Sequence, residues 1–229
     1  MQDVTGQQVS LGVRERNRRA LRRKLSDTAT AMFLDRGFDA VRVSDVAQAC
    51  GVSTKTVWNH FPTKEALLLD RGERLATALR AAAQERTDVL DVVVSCIDTE
   101  IDELGAGDPA GTGTRESEVV RSVQAFVRLV EANPGLRAAA ADRFEQLVGL
   151  AADALAARTG TPAWSPHNQI LAGALISLWR LHLSALLHVG DRSLSLADAQ
   201  DHVRHEVRVG ADLVARLVPS ATTPSDTRG

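Results

Sequence analysis

The sequence predicts an all-α chain, and three observations carry that expectation. Alanine, leucine, valine and arginine dominate its 229 residues, aromatics make up 3% of them and tyrosine is absent, a composition that favours helices over a strand-rich fold. Apolar residues recur at alternating spacings of three and four through long segments. The stretch Val43–Leu67, VSDVAQACGVSTKTVWNHFPTKEAL, reads as a short helix, a tight glycine turn and a second short helix.

The length allows one small domain and one larger one. The whole chain carries 27 Lys and Arg against 29 Asp and Glu, a balance that by itself argues against nucleic-acid binding. Its distribution points the other way: residues 1–72 hold 12 basic and 8 acidic side chains, net +4, and the remainder holds 15 and 21, net −6. A small DNA-facing part on an acidic, solvating body fits that asymmetry. So does a plainer alternative, in which Arg18, Arg19, Arg22, Arg23 and Lys24 form only the wet face of a helix. Cys50 and Cys96 are too few and too isolated for a disulfide framework or a thiolate zinc site, and the first residues show no positive-then-apolar signal segment. A cytoplasmic protein with reduced thiols and no cofactor is expected.

Along the chain, residues 1–13 are polar and aperiodic and read as a disordered arm. The first helix follows, with Leu21, Leu25, Ala29, Met32 and Phe33 on one face, and stops at Gly37, with Phe38 placed for the apolar contact of a C-terminal cap. The next helix turns Val43, Val46, Ala47 and Cys50 inward. Gly51 supplies the left-handed backbone of a sharp reversal. Ser53 caps the following helix, with Val52 and Val57 at the spacing of a hydrophobic staple. Val57 and Phe61 anchor that helix, leaving Lys55, Thr56, Trp58, Asn59 and His60 outward, and Pro62 closes it. Thr63 caps a linking helix that the pattern carries through Leu67, Leu68, Leu75 and Leu79 toward Ala83.

The rest predicts helices at about 85–104, 116–132, 134–158, 166–189 and 195–218, with a flexible loop over Gly105–Arg115 and a break at Pro134-Gly135, where proline suits a first helical turn. Residues 219–229 read as a disordered tail. Ile170–Val189 is apolar enough to raise the membrane question, but Arg180 at its middle would cost about 2.5–3.5 kcal/mol on insertion scales, so burial among helices is expected and no membrane partner. Leu196, Ala199, Val203, Val207, Gly210, Val214 and Leu217 form a seam, with Gly210 permitting close approach. The last two helices could therefore pair with their copies as an intersubunit four-helix bundle.

Gly51-Val52-Ser53, Thr56-Val57, Trp58, His60-Phe61 and Lys64-Glu65-Ala66-Leu67 together resemble the DNA-binding signature of TetR-type transcriptional regulators, as do Asp45-Val46-Ala47 and the Arg-Gly-Phe end of the first helix. The resemblance covers roughly residues 14–72. It implies a three-helix helix-turn-helix DNA-binding domain (14–62) joined by a linking helix to a larger helical ligand-binding and dimerisation domain (63–218). The Asn133-Pro134-Gly135-Leu136-Arg137 turn is similar to that of actinobacterial members described as binding acyl-CoA-like ligands. Three positions depart from the family pattern. Arg42 stands where a hydroxyl residue usually caps the second helix, so Ser44 could cap a shortened helix instead. Lys55 replaces a frequent glycine, and Trp58 replaces the usual tyrosine.

Thr54, Lys55, Thr56 and Asn59 are the base-edge candidates, Asn59 suiting adenine and Lys55 guanine. Arg42, Ser44, Trp58, His60 and Lys64 are the phosphate candidates. Blander roles stand beside these: Thr54 and Thr56 as helix-start stabilisers, Lys64 as a solvated charge, Trp58 as packing. A homodimer reading a near-palindromic operator follows from the small footprint of one short helix. A small, hydrophobic or acyl-type effector would act through the body, and Phe126, Arg128, Phe144, Trp179, Arg180 and His182 are its candidate contacts, each also explicable as core. The expected role is a repressor. A ligand-independent architectural DNA binder is the alternative, and a small helical enzyme is disfavoured because no metal pair, nucleophile constellation or phosphate loop emerges.

Overall fold

The computed structural model describes residues 4–70, 72–105, 114–189 and 196–217. All regular elements among them are α-helices: α1 (Val4–Arg36), α2 (Val43–Cys50), α3 (Thr54–His60), α4 (Lys64–Leu68), α5 (Gly72–Glu85), α6 (Val89–Gly105), α7 (Thr114–Ala132), α8 (Pro134–Thr159), α9 (Pro166–Val189) and α10 (Leu196–Ala215). Most of the loop expected around 105–115, and the expected tail from 219, lie outside the described residues. The chain divides into two units, Met1–Arg71 with Arg128–Ala140, and Gly72–Val127 with Ala141–Gly229. The first unit thus continues past the expected limit at residue 62.

In the first unit, α1 begins at Val4, so residues 4–13 extend the first helix where a disordered arm was expected. Residues 4–13, VTGQQVSLGV, include two glycines and three valines and are weak helix formers on their own, but lengthening a helix already nucleated needs no new nucleus. The apolar row of α1 buries Leu25, Ala29 and Phe33. Gly37 takes φ 86°, its N–H donates to the Phe33 carbonyl at 2.9 Å, and the Phe33 and Phe38 rings meet at 5.0 Å. Val43, Val46, Ala47 and Cys50 of α2, Val57 and Phe61 at α3, and Leu67 and Leu68 of α4 complete this core.

The single linking helix expected from Thr63 to about Ala83 is two helices. Leu69 closes α4 at φ −95°, ψ 18°, and α5 opens at Gly72. Two local facts account for the break. The Asp70 carboxylate is held by Arg22 of α1 at 2.7 Å, and glycine is a poor residue with which to carry a helix onward. The Ser26 hydroxyl of α1 also donates to the Leu67 carbonyl at 2.9 Å, so α4 is fastened to α1 and folds with the first unit.

The second unit is built on the apolar rows of α5 (Leu75, Leu79), α6 (Val93, Ile97, Ile101), α8 (Leu147, Ala151, Leu155), α9 (Leu171, Leu175, Trp179) and α10 (Val203, Val207, Val214). Here the expected intersubunit seam is corrected. Ala199, Val203, Val207 and Val214 are buried within their own chain. A Cβ on Gly210 would lie 2.7 Å from Leu178 Cδ2 and 3.0 Å from Leu181 Cδ2, so its close approach is to α9 of the same chain. The periodicity showed which face is buried, and intrachain packing satisfies it. The exposed large apolar side chains on these two helices are Ile170, Val209 and Leu213, and of the seam itself Leu217, just beyond α10, is exposed. Among the described residues no helix is long and apolar enough to cross a membrane.

Replacing Gly210 with Val places three carbons in that gap and should cost about 1–3 kcal/mol of stability, read by urea unfolding of the isolated chain. An unfolding free energy equal to wild type would return Gly210 to an intersubunit face.

Candidate nucleic-acid interface

The turn into α3 is fixed by backbone chemistry. Gly51 sits at φ 73°, ψ 31°. Its N–H donates to the Gln48 carbonyl at 3.1 Å and that of Val52 to Ala47 at 3.0 Å, the pair of bonds that closes a helix through a left-handed residue. The Ser53 hydroxyl then accepts from the Thr56 N–H at 3.1 Å and shares a 2.8 Å hydrogen bond with the Thr56 hydroxyl. Val57 and Phe61 are wholly buried. Helical spacing consequently turns Thr54, Lys55, Trp58 and Asn59 outward together, and all four are exposed. Trp58 is 44% exposed, which removes packing as its main role. Thr56 is half-buried with its hydroxyl engaged by Ser53, so the helix-start role is the one its surroundings show.

Arg42 is the residue before α2, extended at φ −96°, ψ 152°. An arginine side chain has no acceptor for a capping bond, and the cap is instead made from inside the helix: the Asp45 carboxylate accepts from the Arg42 N–H at 2.9 Å. Ser44 therefore does not cap. It lies in the first turn of α2, exposed, with its hydroxyl 3.4 Å from the Asp45 carboxylate. Arg42 and Ser44 are thus both presented to solvent at the start of α2 while Asp45 supplies the cap.

Lys64 is not simply a solvated charge. Its ammonium donates to the Phe38 carbonyl at 2.6 Å and lies 4.3 Å from the centre of the Phe38 ring, so it joins α4 to the segment following α1. Two members of the basic face of α1 are likewise employed in the fold. Lys24 donates to the Cys50 carbonyl at 3.3 Å. Arg22 donates to the His60 carbonyl at 2.5 Å, lies 4.4 Å over the Phe61 ring and pairs with Asp70. Nothing in the sequence marked these contacts, because each joins residues 26 or more positions apart.

His60 is half-buried at the end of α3. Burial, then the charges of Arg22 and Arg18, push its imidazole below the ordinary histidine value of 6.5. It is accordingly neutral at pH 7 and can offer a phosphate a hydrogen bond but no charge.

Two pairs among the six effector candidates are in contact. Trp179 and His182 are buried on α9 and meet edge to face at 4.8 Å. Arg180 lies on the exposed side of α9 with its guanidinium 5.5 Å from the centre of the Phe144 ring. Phe126 is half-buried on α7, and Arg128 groups with the first unit. The polar partners that the sequence reading missed are Glu100, whose carboxylate is 3.3 Å from His182 Nε2, and Arg74, which donates to both oxygens of Glu103 at 2.8 Å. Glu100 is 7% exposed and His182 1%. A visible signal existed for Glu100, which shares a helix face with Val93 and Ile97 at spacings of seven and three.

The depressed His60 value has a checkable consequence. The unfolded chain takes up the proton first as pH falls, so the wild type should lose stability relative to His60→Gln as pH drops through the ordinary histidine value toward the lower folded one. Parallel urea curves from pH 7.5 to 5 measure this, and a gap that does not change with pH refutes it.

Residues 25–70 match the family described as bacterial regulatory proteins, tetR family, and residues 112–216 match the TetR-type domain described as the MftR C-terminal domain. The HTH-type transcriptional regulator TcmR of Streptomyces glaucescens is 29% identical over 152 residues, 65% of this chain and 65% of TcmR. The HTH-type transcriptional regulator AlkX of Mycobacterium tuberculosis is 35% identical over 65 residues, 28% of this chain and 31% of AlkX. The chain thus spans less than two thirds of the length of either relative. Among solved structures, the TetR-family repressor FadR of Thermus thermophilus, in complex with lauroyl-CoA, is 21% identical with a TM-score of 0.44, covering 89% of this chain and 98% of that one. With one match on the helix-turn-helix and the other on the helical body, the chain belongs to the TetR family of bacterial regulatory proteins.

Proposed function

We propose that this chain is a DNA-binding transcriptional repressor that reads a near-palindromic operator as a homodimer and releases it when a small apolar, acyl-type effector binds the second unit. The observation that carries the DNA reading is the outward face of α3. Thr54, Lys55, Trp58 and Asn59 stand exposed on a seven-residue helix that is anchored on its other side by the buried Val57, with the buried Phe61 just beyond it. Lys55 can reach guanine, Asn59 can pair bidentately with adenine, and the Trp58 indole N–H, Arg42 and Ser44 can hold phosphates. The apolar side chains left outward on α9 and α10, Ile170 at 66% and Leu213 at 58% exposure, support pairing of copies through the two C-terminal helices.

Effector control is supported by polar atoms buried in the second unit. Arg74 Nη1, Glu100 Oε2 and His182 Nδ1 are shut from solvent, and none makes a hydrogen bond among the described residues. The Glu100–His182 approach of 3.3 Å is an ion-pair distance without hydrogen-bond alignment. Each such atom costs about 1–3 kcal/mol, which a bound polar group would relieve. Trp179 and Phe144 offer apolar surface on the same helices or their neighbours.

Selection of bound DNA from a random pool with the purified full chain, followed by gel-shift titration over several salt concentrations, tests the DNA reading. Lys55→Ala should either lower the salt slope by about one unit or relax preference at one base pair, and Asn59→Ala should cost about 1–3 kcal/mol at one position. Leu213→Glu should abolish the two-headed complex while sparing the fold. If Lys55→Ala and Asn59→Ala both bind as wild type, α3 is not the reader. For the effector, a thermal-shift screen with acyl-CoAs, fatty acids and hydrophobic drugs should find a ligand that raises Tm and releases the DNA. Stabilisation by none of them would favour a ligand-independent architectural role.

A further inference from the structure

A helix of seven residues has almost no stability of its own, so the angle of α3 is set by what touches it. Its N-terminal end is held by the Gly51 turn and the Ser53 cap. At its C-terminal end, beside the buried Phe61, it is met by the Arg22 side chain of α1. The Arg22 guanidinium donates Nη1 to the His60 carbonyl at 2.5 Å, where a cation suits the carbonyl end of a helix, and lies over the Phe61 ring at 4.4 Å. The same planar group gives Nε and Nη2 to Asp70 Oδ1 at 2.8 and 2.7 Å. Asp70 lies in the break between α4 and α5, where the chain leaves the first unit. The Arg22 and Asp70 side chains are 30% and 15% exposed, against 58% and 77% for the surface pair Arg36–Asp35, so salt and water screen the first pair far less.

We infer that the Arg22–Asp70 pair is a positioning latch that ties the angle of the recognition helix to the conformation of the joint between α4 and α5. With the pair closed, the guanidinium plane is fixed by Asp70 and in turn fixes His60 and Phe61. When the joint shifts and carries Asp70 away, Arg22 is free to rotate, and α3 loses the contact that holds its C-terminal turn. DNA affinity then depends on a residue pair that touches no DNA. This inference rests on the DNA reading proposed above and gives it a route of control, since any event that moves the joint acts on the reading helix through one side chain.

The tests are Asp70→Asn, which keeps the shape of the carboxylate and removes its charge, and Arg22→Lys, which keeps the charge but cannot serve a carbonyl, a ring face and a carboxylate at once. Each should weaken operator binding roughly tenfold while leaving the salt slope unchanged, because no phosphate contact is lost. Hydrogen exchange in the free protein should rise over residues 54–61 and stay at wild-type level over 25–36. Wild-type affinity in Asp70→Asn overturns the latch. So does a changed salt slope, which would make the pair a phosphate contact, and so does a uniform rise in exchange, which would make it a general stabiliser. The exchange arm uses no DNA: local loosening in a chain that binds no operator would sink the proposed function and leave the latch standing.

Discussion

The first unit depends on how a helix too short to hold itself is clamped at both ends. The N-terminal clamp of α3 is made of local bonds, two across the Gly51 turn and one from the Ser53 hydroxyl. The C-terminal clamp includes the Arg22 guanidinium brought from α1. This asymmetry follows from the chemistry of helix ends. N–H groups at a helix start are readily met by a neighbouring hydroxyl, whereas carbonyls at its end need a donor, and Pro62, with no N–H, cannot provide one two residues on. A long cationic side chain reaching from a packed neighbour is a natural solution. Arg22 serves particularly well because its plane can stack on Phe61 while its edge donates.

The same economy of charge runs through the unit. The excess of basic residues before position 72 suggested a surface aimed at DNA, with a wet helix face as the alternative, and neither description covers all of them. Arg22, Lys24 and Lys64 act on carbonyl groups within the fold, while Arg42 and Lys55 are exposed, and the exposed Arg18 acts through its charge on His60 at the end of α3.

Features determined by near neighbours in the chain were legible in the sequence. Gly37, Gly51, Ser53 and Thr63 all do what their local patterns predict, because capping is decided within four residues. Features that depend on which partner arrives from elsewhere were not. Val203, Val207 and Val214 were correctly read as buried, but a stripe on one helix carries no label for the chain that covers it, and here α9 of the same molecule does. The break at Leu69–Gly72 was missed because apolar spacing runs straight across it, and the Asp70 contact that accompanies it comes from 48 residues away. Arg42 shows the intermediate case. Its failure as a cap was legible, but the substitute was sought in Ser44 when Asp45, one residue further on, already had the reach to close the cap from inside.

The second unit poses the opposite problem, since its helices are long enough to be stable through packing and gain nothing from buried ionic groups. Replacing such groups with apolar side chains commonly leaves a core as stable or more so. Glu100 and His182 nevertheless sit on the apolar faces of α6 and α9, at 7% and 1% exposure. The cysteine one turn before Glu100 shares that surrounding: burial, with Glu100 adding to it, pushes the Cys96 thiol above its ordinary value despite the nearby Arg74 charge. Stability alone therefore does not explain these residues, and under the effector control proposed above they would discriminate a polar group on an apolar molecule. An effector that completes their hydrogen bonds changes the protein only in so far as it prefers one arrangement of the body to another. A packed core with unmet polar atoms supplies that preference, because the arrangement that lets a partner in is the one in which those atoms cease to be a cost.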